Sequence, residues 1–237
     1  MCIDCGCSTQ AQTDQHQHEP RTIRIEEDLL AKNKRLAADN RQLFASNHLL
    51  VLNLVSAPGS GKTSILEQTL ADLKGELNFS VLEGDQQTTN DADRIAATGV
   101  PVKQINTGAG CHLDAHMVGH GVESFDLVET DILMIENVGN LVCPASFDLG
   151  EDHKVAVLSI TEGEDKPVKY PLMFRECEAA LLNKIDLLPY LDFDKQKAID
   201  FIHQVHPQMP VFEISAKTGE GFDAWIEWLK NKIRQKA

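Results

Sequence analysis

Residues 56–64 read SAPGSGKTS, and the seven residues before them, 49–55, read LLVLNLV. A short apolar run, a glycine-rich turn and an amphipathic stretch spell strand, loop, helix. Gly59 and Gly61 let backbone N–H groups turn inward around phosphate oxygens, with Ser60 between them. Lys62 reaches the β- and γ-phosphates, Thr63 offers its hydroxyl to Mg²⁺, and Ser64 opens a helix whose N-terminus adds positive character. These residues predict a P-loop. Ser56 stands where the first glycine of the strict pattern belongs.

Outward from the loop, apolar runs recur at 79–83, 101–105, 131–135, 155–160, 179–183 and 211–214. Helix-like stretches at 62–74, 88–97, 113–123, 168–178, 194–205 and 219–234 separate them. Short apolar runs alternating with helices predict an α/β fold, a mostly parallel sheet covered on both faces. The last stretch places Phe222, Trp225, Ile226, Leu229 and Ile233 on one helical face.

The run at 179–183 leads into the base-specificity motif. Residues 181–186 are LLNKID, so Asn183, Lys184 and Asp186 follow the sixth strand as an NKxD motif. A carboxylate only accepts hydrogen bonds, and guanine offers N1–H and N2–H side by side where adenine does not. An Asp aimed at that edge selects GTP and GDP over ATP. Ser215, Ala216 and Lys217, after the seventh strand, supply a second base-contact loop.

Metal and switch elements lie between. VLEGDQQT at 81–88 holds Asp85, and ILMIENVGN at 132–140 holds Glu136 and Gly139. A carboxylate after such a strand holds Mg²⁺ directly or through water, so Lys62, Asp85 and Glu136 are the candidate catalytic groups. Asp85 also suits a helix cap before QQTTNDADR. Gln86 and Gln87 are the nearest candidates to orient water. GAGCHLDAHMVGH at 108–120 spaces His112, His116 and His120 at i, i+4 and i+8, one stripe if all three are helical. Cys111 adjoins the first, and Cys143 follows Glu136 by seven residues. Cys and His together suit Zn²⁺ or Ni²⁺ rather than Mg²⁺. Cys177 has no ligand partner in sequence and reads as structural.

The N-terminus is different in kind. Residues 1–7 are MCIDCGC, three thiols at Cys2, Cys5 and Cys7, and residues 8–20 are a polar linker ending in Pro20. The spacing suits Zn²⁺ as well as Ni²⁺. Residues 22–46 form an amphipathic helix with Leu29, Leu36 and Leu43 seven apart, flanked by Leu30, Ala37 and Phe44; it is expected to pack on its own domain, with pairing to another chain as the alternative. The expected organisation is a flexible Cys-rich metal-binding tail and linker at 1–20, an N-terminal helix at 21–48 and a GTPase domain at 49–237. Lys and Arg number 22 against 36 Asp and Glu, a formal charge of −14, which excludes a nucleic-acid footprint and an anionic-membrane binder. With no signal architecture and no apolar run of spanning length, the expected location is the cytoplasm.

Taken together, MCIDCGC, SAPGSGKT, EGDQQTTNDADR, NTGAGCHLDA, IENVGNLVCPASFDLGE, SITEGEDKP and LLNKIDLLPYL resemble the HypB family of hydrogenase-maturation GTPases. The resemblance implies a P-loop NTPase of the SIMIBI class that dimerises through bound nucleotide. It implies a homodimer when GTP is bound, GTP hydrolysis with Mg²⁺, and a G-domain site for Ni²⁺ or Zn²⁺ at the dimer interface. It further implies a HypA-type nickel chaperone as partner and the hydrogenase large subunit as client. It turns the tail toward Ni²⁺, with the terminal amine completing a square-planar set. Many relatives carry a long histidine-rich N-terminal tract; only His16 and His18 stand there in this chain. Two other readings remain: a metal-storage protein with a vestigial nucleotide fold, opposed by the intact Lys62, Thr63, Asp85 and Asp186, and a GTPase chaperone for urease or a cobalamin enzyme.

Overall fold

The structure, a computed structural model, describes residues 19–86 and 88–236, with side chains from residue 28 onward. Cys2, Cys5, Cys7 and Gln87 therefore lie outside the described residues. In chain order, α1 (Glu19–Ser46), β1 (Leu50–Ser56), α2 (Lys62–Asp72), β2 (Phe79–Asp85), α3 (Asn90–Ala96) and β3 (Val102–Asn106) come first. Then follow α4 (Ala115–Val122), β4 (Ile132–Glu136), α5 (Cys143–Ser146), β5 (His153–Ser159), α6 (Lys166–Lys169) and α7 (Pro171–Arg175). The chain closes with β6 (Ala179–Asn183), a 3-10 turn at Ile185–Tyr190, α8 (Lys195–Val205), β7 (Val211–Glu213) and α9 (Phe222–Lys236).

The seven strands form one sheet in the order β3-β2-β4-β1-β5-β6-β7, and every pairing is parallel. The chain leaves β1 toward one edge, returns to place β4 beside it, and then builds the other edge. Loops at the strands' C-terminal ends diverge around β1, which opens the crevice where ligands of such sheets bind.

Side chains alternate across each strand and sort the core. Leu50, Leu52 and Leu54 of β1 face α2 and α9, packing with Ile65, Leu66, Leu70, Trp225 and Leu229. Val51 faces the opposite side, with Phe44 of α1 and Val118 of α4, while Val55 meets a separate cluster containing Met173, Phe174 and Ile202. Asn53 lies between those two residues on the same face, fully buried, at the seam of two apolar clusters.

All seven expected strands are present, but the helices differ from the expectation in three details. The stretch 168–178 is two short helices, because Pro171 has no N–H to continue the ladder and starts a new helix. The segment 143–146 forms a single turn that periodicity did not announce. The third concerns α1. As expected it packs on its own domain, against α4, but through the flanking Ala37 and Phe44 with two asparagines, more than through the leucines. Leu29 and Leu43 are 56 % and 40 % exposed, whereas Asn33, Ala37, Asn40 and Phe44 are buried. The asparagines hydrogen-bond to loops. Asn33 Nδ2 donates to the Asp148 carbonyl at 2.7 Å and its Oδ1 accepts from Ala115 N–H at 2.8 Å. Asn40 Nδ2 donates to the carbonyls of Ala115 at 2.8 Å and Leu149 at 2.9 Å.

Asn40→Ala removes two buried hydrogen bonds, to the carbonyls of Ala115 and Leu149, so it should cost about 1–3 kcal/mol of stability. Leu43→Ala, on the exposed face, should stay within about 0.5 kcal/mol. Urea unfolding of both variants checks this, and a larger loss for Leu43→Ala would restore the leucine stripe as the packing face.

Candidate functional site

The predicted phosphate loop occupies the end of β1 and the start of α2. Lys62 and Thr63 are buried at the helix N-terminus. Burial pulls the Lys62 ammonium below its ordinary value, while Glu136, Asp91, Glu83 and Glu162 around it favour the charge. Its Nζ donates to Ser56 Oγ at 2.9 Å. The serine that breaks the strict motif thus gives the lysine an acceptor. Gly61 has φ of 97°, and a Cβ there would lie 2.5 Å from Asn183 Nδ2. The position requires glycine both for its backbone and for its space. Ser60 Oγ donates to Glu162 Oε1 at 2.7 Å, so the SITEGEDKP segment braces the loop from β5.

The base motif converges on the same loop. Asn183 Nδ2 donates to the Ser60 carbonyl at 2.9 Å and its Oδ1 accepts from Ala216 N–H at 3.1 Å. Sequence placed Asn183 among the base contacts; here it ties the phosphate loop to the Ser215–Lys217 loop. Lys184, at φ of 68°, lays its ammonium on the Gly59 carbonyl at 2.7 Å. Asp186 Oδ1 accepts from Ser215 Oγ at 2.7 Å. A cleft of about 380 Å³ opens among Gly61, Ser64, Asn183, Asp186 and Lys217. The Asp186 carboxylate and the two lysines line it.

Behind the phosphate loop, Thr63 Oγ1 donates to Glu136 Oε1 at 2.8 Å. The other carboxylate oxygen, Glu136 Oε2, is buried without a partner, as is Oε2 of Glu83. Glu83 and Glu136 are paired register neighbours on β2 and β4, so both side chains leave the sheet on one face. A hydroxyl and two buried carboxylates with free oxygens are a fitting donor set for Mg²⁺. Sequence reasoning named Glu136 and missed Glu83. The available signal was a charged residue inside an otherwise apolar strand. Asp85 closes the following turn, accepting from Gln86 N–H at 2.7 Å and from Thr88 N–H at 2.9 Å. The residue capping α3 is Thr89, so Asp85 does not serve as that helix's cap.

Desolvation, reinforced by Glu136, pushes Glu83 up to about 8. Desolvation also pushes Glu136 up to about 7, against the pull of Lys62 and Thr63. Both carboxyls keep protons in the folded chain that the unfolded chain gives up near pH 4.5. Their contribution to stability therefore falls as pH rises from 4.5 and levels off above about 8. In the metal-free protein, Glu83→Gln should flatten this slope and gain about 1–2 kcal/mol at pH 8 relative to the parent. Urea unfolding at pH 6 and pH 8 tests it; equal slopes would mean Glu83 is ionised in the fold.

A second cluster sits on the neighbouring loops. Cys111 Sγ lies 3.1 Å from Cys143 Sγ and 3.6 Å from His112 Nδ1. The three ligand atoms are mutually within 4.8 Å, and all three residues are half-buried. Desolvation lowers the pKa of His112, which keeps its lone pair free for a metal, while the contact with Cys143 raises that of Cys111. His112 packs tilted against Phe147, with 4.0 Å between ring centroids. His116 and His120 are not brought to this cluster. Asp114 caps α4 by accepting from Met117 N–H, so His112 precedes the helix and the three histidines share no stripe. His116 and His120 instead pack edge to face with each other on the exposed side of α4, 4.5 Å between centroids. Cys177 is buried, with its thiol pushed far up by desolvation, as a structural cysteine should be.

The two centres share a loop. A Cβ on Gly139 would lie 2.9 Å from Pro58 Cα. The segment between Glu136 and Cys143 therefore runs against the phosphate loop where only glycine fits. Gln86 Nε2 donates to the Gly110 carbonyl at 3.2 Å, joining the turn after β2 to the Cys111 arm.

A family described as CobW/HypB/UreG, nucleotide-binding domain, matches residues 50–213. The hydrogenase maturation factor HypB of Azotobacter vinelandii is 58% identical over 214 residues, covering 90% of this chain and 71% of that one. The same factor from Escherichia coli K12 is 58% identical over 212 residues, covering 90% of this chain and 73% of its own. The crystal structure of HypB from Helicobacter pylori in complex with nickel aligns with a TM-score of 0.82 at 39% identity, covering 86% of this chain and 96% of that one. Among the described residues no helix is long and apolar enough to cross a membrane.

Proposed function

Because this chain belongs to the HypB family of nucleotide-binding proteins, we propose that it is a GTP-hydrolysing nickel chaperone that assists nickel insertion into nickel–iron hydrogenase during maturation. The observation that carries this reading is the placement of Glu136 and Cys143 at the two ends of one short loop, with Cys111 and His112 closing on Cys143. The carboxylate that bonds Thr63 is thereby seven residues from a ligand of the transported ion.

In this mechanism Lys62 neutralises charge on the β- and γ-phosphates, and the loop N–H groups hold their oxygens. Thr63, Glu136 and Asp85 would hold Mg²⁺, with Glu83 beside them, and the ion would offset the charge that develops during phosphoryl transfer. Asp186 selects guanine, and Ser215 keeps it oriented. Gly139 lets the loop backbone approach the γ-phosphate and withdraw when it leaves. The withdrawal carries Cys143 with it. Cys111, His112 and Cys143 supply three ligands, one short of the usual four, so a second copy of the chain in a GTP-bound homodimer completes the site. The metal then passes onward with a HypA-type chaperone toward the hydrogenase large subunit. Cys2, Cys5 and Cys7 form a separate, tighter nickel site.

The test is Ni²⁺ affinity and oligomeric mass with GDP and with a non-hydrolysable GTP analogue, in a full-length chain carrying Cys2→Ser, Cys5→Ser and Cys7→Ser. The two nucleotide states should differ in affinity by about 5- to 150-fold, and by linkage Ni²⁺ should shift the GTP-to-GDP preference by the same factor. Cys143→Ala should abolish the difference. Equal affinities in both states, with mass indifferent to nucleotide, would leave two unconnected sites on one chain.

A further inference from the structure

Asn53 is a polar side chain in the middle of the apolar run of the central strand β1, and it is fully buried. It is the middle of a buried chain of hydrogen bonds. Its Oδ1 accepts from Asn137 Nδ2 at 3.2 Å, and its Nδ2 donates to Glu151 Oε1 at 3.0 Å. Glu151 pairs with Lys154 at 3.7 Å, and Lys154 Nζ donates to the Ala145 carbonyl at 3.1 Å. All four side chains are at most 8 % exposed. A buried network of this kind is rigid when fully paired, and each break leaves an unpaired polar group in a low dielectric.

Both ends of the chain reach the arms of the candidate metal centre. At one end Asn137 Oδ1 accepts from Leu113 N–H at 3.1 Å, two residues after Cys111. A parallel contact, Asn140 Nδ2 to the Cys111 carbonyl at 3.3 Å, holds the same arm. At the other end, the Ala145 carbonyl lies two residues after Cys143. Glu151 Oε2 also accepts from Leu149 N–H at 2.6 Å, fixing the segment that follows α5. The thiol separation of 3.1 Å thus depends on two arms anchored to one buried network.

The network also touches the nucleotide side. Glu136 and Asn137 are consecutive at the end of β4, and successive side chains of a strand leave on opposite faces. Glu136 faces Thr63, and Asn137 faces Asn53 and Leu113. Any shift of Glu136 with Mg²⁺ or phosphate must move Asn137.

We propose that Asn137, Asn53, Glu151 and Lys154 are the positioning residues of the Cys111–His112–Cys143 centre, setting the separation of its two arms and linking it to the Thr63–Glu136 contact. The inference rests on reading that centre as the site of the transported metal. Partners lying behind metal ligands commonly contribute 10- to 100-fold in metal affinity.

The experiment titrates Co²⁺, as a spectroscopic stand-in, into the full-length chain with Cys2→Ser, Cys5→Ser and Cys7→Ser, in GDP and in a non-hydrolysable GTP analogue. Lys154→Met should weaken Co²⁺ about 10- to 100-fold. It should also diminish the thiolate-to-cobalt charge-transfer band and shrink the affinity ratio between the nucleotide states. GDP affinity should stay within about twofold of the parent, since additivity is expected for a residue with no nucleotide contact. Lys154→Arg, which keeps a donor for the Ala145 carbonyl, should recover the band. If Lys154→Met does not fold, the double variant Glu151→Gln with Lys154→Met removes both charges and is read in the same way. A folded variant with the parent's affinity, band and ratio overturns the assignment while Cys143→Ala still abolishes Co²⁺ binding. A Cys143→Ala chain that binds Co²⁺ like the parent removes the centre itself, and this inference with it.

Discussion

Asp186→Asn is expected to cost the chain its preference for guanine, lowering GTP affinity on the order of 10³-fold while xanthosine triphosphate gains. The direction follows from the contacts around the side chain. Ser215 Oγ accepts from Thr218 N–H at 3.2 Å and points its own hydrogen at Asp186 Oδ1, 2.7 Å away. The introduced amide keeps its oxygen on that hydroxyl, which turns its NH₂ toward the cleft. A donor then faces the N1–H and N2–H of guanine, where an acceptor is required. Xanthine carries a carbonyl in place of the N2 amino group and accepts what the amide offers. The cleft is otherwise unchanged, because Asn183 and Lys184 bond the phosphate loop and not Asp186. Competition binding of GTP, ATP and xanthosine triphosphate decides the matter. An unaltered GTP preference would remove Asp186 from the base site.

Lys62→Ala is the second large effect. It should slow hydrolysis of GTP by about 100- to 1,000-fold or more, the usual consequence of removing one preorganised charge from a transition state. Among the described residues the hydrogen bond of Lys62 Nζ goes to Ser56 Oγ, so the fold should survive the change. Without the ammonium, Glu136 loses the charge that holds its carboxyl down, and its buried pair with Glu83 should stay protonated to higher pH. Ni²⁺ binding by the proposed tail site, Cys2, Cys5 and Cys7, should be unaffected, since residues 8–46 separate that tail in sequence from the phosphate loop. Single-turnover hydrolysis measured beside tail-metal stoichiometry separates the effects. Lost tail affinity in Lys62→Ala would contradict two independent sites.

The amino-acid sequence by itself determined the sheet. Alternating apolar runs and amphipathic stretches state their own period, and a strand buried on both faces needs no partner to be recognised. The P-loop and NKxD motifs were legible for a related reason. Each is a short segment whose backbone must take one shape, and Gly61 shows why a single residue type can satisfy it. The cysteine–histidine centre was legible by chemistry and not by geometry. Cys111, His112 and Cys143 are soft ligands whatever their spacing, whereas the inclusion of His116 and His120 assumed a helix that Asp114 starts too late.

What remained hidden lay in residues whose role depends on partners far along the chain. Leu29 and Leu43 stand two heptads apart and are exposed; Asn33 and Asn40 between them are buried. A leucine can sit on either face of a helix at modest cost, but a buried asparagine requires acceptors, and those acceptors lie at 115, 148 and 149. Glu83 looks like an interruption of an apolar strand until register sets it beside Glu136. Asn53 looks like another until Asn137 and Glu151 arrive from two other loops. Periodicity and motif report what a residue can do with its neighbours in sequence. A buried polar group is stable only through partners that tertiary contact brings to it, and only the folded chain decides which they are.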